Sequence, residues 1–137
     1  MKEFFEYIHK NNFRTAVISS SSYDVVLRAK NELGIDYIFS NALVIKDDKI
    51  SGDFLWPIGA GNESKAIVMK KLCSDINIET KDVVFIGDSI TDLHAVWEAG
   101  YSIAFNSKSD ELKKNTSVVV DSNDARDLIS VLENIKN

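Results

Sequence analysis

The chain has 137 residues, 45% of them hydrophobic and 27% charged, which is one domain's worth of ordinary globular composition and excludes wholesale disorder. Lys plus Arg total 16 against 21 Asp plus Glu, a net charge of −5 with no basic run, so a nucleic-acid partner and a basic membrane-surface helix are both disfavoured. Cys73 is the single cysteine, which excludes a disulfide framework or a Cys-based zinc site within one chain, and no apolar stretch approaches the ~20 residues that span a bilayer. The start, Met1-Lys2-Glu3-Phe4, has no apolar h-region, so the expected address is the cytoplasm.

Taken in chain order, residues 2–11 read as a helix with Phe4, Phe5 and Ile8 on one face. Thr15–Ile18 reads as a buried strand. Ser19–Ser22 can cap a helix over 23–33, whose apolar face is Val26, Ala29 and Leu33 and which Gly34 ends. Ile35–Phe39 is a strand. Ala42–Ile45 and Lys49–Phe54 flank Asp47-Asp48 as a β-hairpin. Residues 56–61 form a loop holding the only proline. A helix over 63–75 buries Ala66, Met69, Leu72, Cys73 and Ile76 on one side. Asp82–Ile86 is a strand, Gly87–Thr91 a turn, and 92–99 a helix closed by Gly100. Strands follow at Ser102–Phe105 and Ser117–Val120. The last helix spans 124–136, with Ala125, Leu128, Ile129, Leu132 and Ile135 at helical spacing. Short apolar strands alternating with amphipathic helices imply an α/β fold with a mainly parallel sheet, and without linker or repeat residues 1–137 read as a single domain.

In a parallel sheet the strand C-termini share one edge, and ligands bind there. After 15–18 comes Ser19-Ser20-Ser21-Ser22, and after 82–86 comes Gly87-Asp88-Ser89-Ile90-Thr91-Asp92; Lys65 opens the helix between them. A hydroxyl cluster, a lysine and two carboxylates suit a phosphate ester with a divalent metal. Hydroxyls and helix N-termini donate to phosphate oxygens, an ammonium neutralises charge, and carboxylates hold Mg²⁺.

Val17-Ile18-Ser19, Lys65 and Gly87–Asp92 resemble motifs II, III and IV of the haloacid dehalogenase superfamily. Phe39-Ser40-Asn41-Ala42-Leu43, Ile50-Ser51-Gly52, Glu98-Ala99-Gly100 and Ser102–Phe105 extend the resemblance to its phosphoserine phosphatase branch. The resemblance implies a three-layer Rossmann-like core with a small β-hairpin, and a Mg²⁺-dependent phosphatase acting on a small phosphorylated metabolite. In such enzymes an Asp attacks phosphorus and the aspartyl-phosphate is hydrolysed by water. By motif match Lys65 is the catalytic lysine, Ser19, Ser20, Lys65 and Thr91 contact phosphate or substrate, and Asp88 and Asp92 serve the metal. Thr91 stands where the branch usually has Asn, which leaves the substrate open.

The larger departure concerns motif I. That Asp-x-Asp, at the end of a strand central in the family sheet, has no counterpart here, because only a helix precedes Thr15–Ser19. Asp47-Asp48 has the wrong spacing, and Asp121 and Asp124 come too late. The nucleophile, the general acid/base and the cap are therefore missing from this chain. Weak metal binding and no turnover by the chain alone are expected, with the missing strand supplied by a partner chain or by a second copy in a homodimer if the domain serves as a non-catalytic subunit or binding module.

Each candidate has a plainer reading. Asp88 and Asp92 suit a helix first turn, Ser19–Ser22 an N-cap, and Lys65 a solvated surface. Cys73 reads as core, His94 as a surface or partly buried histidine, Trp97 as core packing, Trp56 as a loop anchor, and Lys70-Lys71 as a wet helix face. A rival enzyme reading notes that Phe85–Thr91 resembles the nucleophile block of GDSL esterases, with Ser89 as nucleophile. That family has an Asp-x-x-His pair near its C-terminus, and the only later histidine here is His94.

Overall fold

The structure, a computed structural model, describes residues 1–55 and 62–136, with the side chains of Val44, Ile45 and residues 52–55 excepted. The loop expected at 56–61, with Trp56, lies outside the described residues. The chain divides into two compact units, essentially Phe4–Gly61 and Asn62–Asn137.

The first unit holds α1 (Lys2–Lys10), β1 (Ala16–Ser22), α2 (Tyr23–Leu33), β2 (Tyr37–Lys46) and β3 (Lys49–Leu55). Phe4 and Ile8, one helical turn apart, are the buried residues of α1. Gly34 closes α2 in the left-handed conformation, φ 68°, and its amide donates to the Lys30 carbonyl. The sheet order is β1-β2-β3. β1 and β2 are parallel, with Ser19 opposite Ser40; β2 and β3 are antiparallel, with Lys46 opposite Lys49. Asp47 and Asp48 make the hairpin turn with φ of 52° and 57°, a left-handed pair that Asp tolerates and a two-residue hairpin favours. Two expectations are corrected. Ser19–Ser22 belongs to β1 rather than to a cap: Ser22 is the N-cap residue of α2, but its side chain makes no capping bond. The strands expected at 35–39 and 42–45 are one strand, because β2 pairs with β1 through its first half and with β3 through its second.

A polar clamp ties the start of β1 to the start of β2. Asp36 accepts hydrogen bonds from the Thr15 amide (2.7 Å) and hydroxyl (2.9 Å), and the Asp36 amide donates back to Thr15 Oγ1 at 3.0 Å. Burial pushes the Asp36 carboxyl up, but the Thr15 bonds, with His9 and Lys30 nearby, outweigh it and hold its pKa below the ordinary value.

The second unit holds α3 (Ser64–Asp75), β4 (Val84–Gly87), α4 (Leu93–Glu98), β5 (Tyr101–Phe105), α5 (Asp110–Asn115), β6 (Val118–Val120) and α6 (Asp127–Lys136). Its sheet is parallel throughout, in the order β4-β5-β6. Val96 of α4, Ala104 of β5 and Leu112 of α5 form a buried cluster against which Phe85 and Leu93 pack. Ala66, Met69, Leu72 and Cys73 are buried along α3, and burial raises the Cys73 thiol pKa, as befits a core cysteine.

The structure departs from sequence expectation at four places in this unit. Asp82 lies in a 3₁₀ turn, Thr80–Asp82, and not in the strand. α5 was not foreseen; it is six residues long, too short for a clear period, and Ser109 caps it by accepting from the Leu112 amide at 3.2 Å. α6 starts at Asp127 because Ser122 and Asp124 bond the chain into a turn first, and Arg126 holds the Asp124 carboxyl down to about 2. Trp97 is not core: it is 56% exposed, with its indole N–H on Asn115 Oδ1 (3.0 Å) and its ring edge-on to His94.

Among the described residues β1 pairs only with β2 and β4 only with β5, so each has one free edge. Val17, Ile18, Val84, Phe85 and Ile86 are accordingly half-buried, whereas Ser102, Ile103 and Ala104 in the middle strand β5 are buried. No described helix is long and apolar enough to cross a membrane.

Candidate active site

The second unit gathers its polar groups at the C-terminal end of β4. The chain leaves the strand at Gly87, exposes Asp88 and enters a 3₁₀ turn, Ile90–Asp92. A reciprocal capping box shapes that turn. The Ser89 side chain accepts from the Asp92 amide, while Asp92 Oδ2 accepts from the Asp88 amide (3.0 Å) and the Ser89 amide (3.1 Å). The other oxygen, Oδ1, takes the Lys65 ammonium at 2.5 Å, delivered from the first turn of α3. The two side chains are 16% and 3% exposed, so this is a buried, hydrogen-bonded ion pair and not a surface contact.

Gly87 makes the geometry possible. A Cβ there would lie 2.7 Å from Asp92 Oδ2 and 2.8 Å from Asp92 Cβ, so the carboxylate sits where any side chain would stand. The sequence pattern marked Gly87 only as the start of a turn. Its second role depends on how closely Asp92 folds back.

Of the residues expected at the site, the structure brings Lys65 and Asp92 into direct contact and bonds the Asp88 backbone to Asp92. Asp92 has both oxygens engaged within the chain, which makes it the brace of the loop. The Asp88 carboxylate is exposed, and no hydrogen bond or ion pair engages it among the described residues. Thr91 is exposed, and its hydroxyl shares a 2.6 Å hydrogen bond with that of Ser89. His94 packs edge-on against Trp97, and Ser89 serves the capping box, so nothing among the described residues pairs Ser89 with a histidine.

Ser19 and Ser20 lie in the first unit, at the C-terminal end of β1. Ser19 Oγ accepts from the Ser21 amide at 3.1 Å, and the buried Asn41 donates to the Ser20 carbonyl at 3.4 Å. Ser40, opposite Ser19 in the ladder, is 5% exposed, and its hydroxyl has no hydrogen-bond partner among the described residues. Sequence reasoning named Ser40 only as part of a resemblance.

Among the described residues no group of three or more His, Cys, Asp or Glu side chains is placed to hold a metal ion. Among the described residues, the loop after β4 offers one exposed, unengaged carboxylate, Asp88. That donor set fits Mg²⁺, which is held through one or two protein carboxylates while water and substrate phosphate complete its shell.

Parallel α/β layers with the polar groups at the strand C-termini define a Rossmann-type hydrolase core. A sequence profile of the haloacid dehalogenase-like hydrolases matches residues 47–132, more than half of the chain, and the chain belongs to that family. It is similar to the phosphoserine phosphatase of Methanocaldococcus jannaschii, 29% identical over 125 residues that make up 90% of this chain and 58% of that protein. It is also 34% identical over 107 residues to the phosphoserine phosphatase of Saccharomyces cerevisiae, covering 77% of this chain and 34% of that one. A phosphoserine phosphatase solved as a phospho-aspartyl intermediate analogue matches with a TM-score of 0.87 at 28% identity, over 95% of this chain and 61% of its own. The chain thus spans less than two-thirds of each of these relatives.

Proposed function

We propose that this chain is the metal- and phosphate-handling part of a Mg²⁺-dependent phosphomonoester phosphatase of the phosphoserine phosphatase type, and that residues 1–137 turn over no substrate by themselves. The observation that carries this is the loop after β4: Lys65 ion-paired to Asp92, Asp92 clamping two loop amides, and Asp88 left with an unengaged carboxylate. In this reading Lys65 neutralises charge on the transferring phosphoryl oxygens, and Asp92 holds that ammonium in place. Asp88 would hold Mg²⁺, directly or through water, and the bound ion would supply Lewis-acid charge stabilisation. Ser19, Ser20 and Thr91 would contact phosphate or substrate by motif match. The motif match puts no aspartate of residues 1–137 at the nucleophile position, which is why turnover is not expected. The single-domain organisation, the cytoplasmic address, and a small phosphorylated metabolite as substrate, without nucleic acid or membrane, belong to the same reading.

The test has two arms. With Mg²⁺ present, inorganic phosphate titrated into ¹⁵N-labelled protein should shift Lys65 and the Asp88–Asp92 amides, and Lys65→Ala should abolish those shifts. With an aryl phosphate and Mg²⁺ no turnover is expected, and Mg²⁺-dependent turnover that vanishes in Asp88→Asn would overturn the claim of a missing nucleophile. An aryl-ester activity lost in Ser89→Ala would favour the esterase reading instead.

A second reading rests on the free edges of β1 and β4. Unpaired parallel edges bearing half-buried apolar residues are templates for another strand. In that reading the chain is a non-catalytic subunit or binding module completed by a strand from a partner or from a second copy in a homodimer. A strictly monomeric, fully folded chain in solution would count against it.

A further inference from the structure

Ser107 lies beyond every motif of the family resemblance, yet it bonds directly to the backbone of Asp88. Asn106, just past the end of β5, takes a left-handed conformation (φ 48°), donates its amide to the Val120 carbonyl at 2.9 Å and its side-chain amide to Asn123 Oδ1 at 2.9 Å. The chain therefore turns sharply after β5. Ser107 follows, 4% exposed, and its hydroxyl donates to the Asp88 carbonyl at 2.6 Å. The same oxygen accepts from the Ser109 amide at 3.1 Å, so the hydroxyl is oriented as well as bonded.

Asp88 is consequently held by both of its backbone polar atoms. Its N–H is bonded to Asp92, its C=O to Ser107, and both partners are buried side chains. Only its carboxylate remains unengaged. A ligand on a peptide pinned at both ends has little backbone entropy left to lose when it takes a cation, and outer partners of this kind set the affinity of a metal site.

We propose that Ser107 is a positioning residue for the cation site: its hydroxyl fixes the Asp88 peptide and thereby aims the Asp88 carboxylate. The inference rests on the reading of Asp88 as the Mg²⁺ ligand. A purely structural serine would instead satisfy a buried carbonyl without affecting cation affinity.

The two roles separate by Mn²⁺ titration of the full chain, with free Mn²⁺ read by its electron paramagnetic resonance signal. Wild-type protein binds, and Asp88→Asn abolishes binding. Ser107→Ala, which removes one oxygen and no more, weakens Mn²⁺ binding about tenfold or more, in the range expected for loss of an outer-shell partner. Ser109→Ala is the control: it removes the α5 cap and lowers the melting temperature while Mn²⁺ affinity stays within about twofold. Ser107→Ala binding Mn²⁺ like wild type overturns the inference and leaves the Asp88 assignment standing. Equal weakening in Ser107→Ala and Ser109→Ala also overturns it, since affinity would then merely follow stability. Wild type and Asp88→Asn behaving alike removes the Asp88 assignment, and the inference with it.

Discussion

The loop after β4 and the end of β1 are both strand C-termini of parallel sheets, yet they are held very differently. After β4 one carboxylate, Asp92, receives three hydrogen bonds from Lys65 and two amides, and Ser107 pins the loop from the other side. At the end of β1 one serine side-chain bond is found among the described residues, Ser21 N–H to Ser19 Oγ, and the neighbouring Ser40 hydroxyl has no partner among them. The first loop has used its polar groups to become rigid. The second has kept hydroxyls in reserve. Fixed charges can stabilise a ligand without reorganising, whereas donors that the protein has not paired stay available to one.

The contrast can be broken most forcefully at Asp92. Asp92→Ala leaves the Lys65 ammonium and two loop amides without their acceptor, and is expected to destabilise the second unit by about 3–5 kcal/mol, the cost of breaking a buried pair from one side; urea unfolding followed by tryptophan fluorescence measures it. Gly87→Ala comes next. It places a Cβ 2.7 Å from the Asp92 carboxylate, so the brace must shift, at about 1–3 kcal/mol. An accompanying change in the Asp88 and Ser89 amide chemical shifts would report the displaced acceptor.

The first unit has its own anchor in the Thr15–Asp36 clamp, whose effect is smaller and depends on pH. The Asp36 pKa is depressed in the folded protein, so its contribution is complete above the ordinary carboxylate value and is lost as pH falls from about 4 through the folded pKa. Acid unfolding of Asp36→Asn should show a shallower slope in that window. Ser19→Ala should have the smallest effect on stability, within about 0.5 kcal/mol by urea unfolding, because Ser19 makes only a local bond. Its expected consequence is weaker binding of inorganic phosphate. A large stability loss instead would mean that the β1 serines are as structurally committed as the β4 loop.

Much of the fold was legible because its signals are local. Apolar residues at helical spacing located α3 and α6, Gly34 ended α2, and Asp47-Asp48 located the hairpin. Ser19–Ser22 misled because a serine run suits a cap and a strand end alike, and pairing with β2 decided between them. Trp97 misled because its helix is only six residues long, too short for the pattern to assign its faces.

For the site, residue types and their order along the chain were enough to nominate Lys65, Asp88 and Asp92 and to indicate the family. Composition, net charge and the single cysteine were likewise sufficient to narrow the chemistry. The division of labour between two similar aspartates was decided by tertiary structure alone. Asp92 turns inward onto Lys65 while Asp88 faces solvent, and Ser107, from a loop 19 residues further along, holds Asp88 in place. The physical reason is that a carboxylate's role depends on which donors reach it, and those donors come from α3 and the β5 loop, remote in sequence and brought close only by folding.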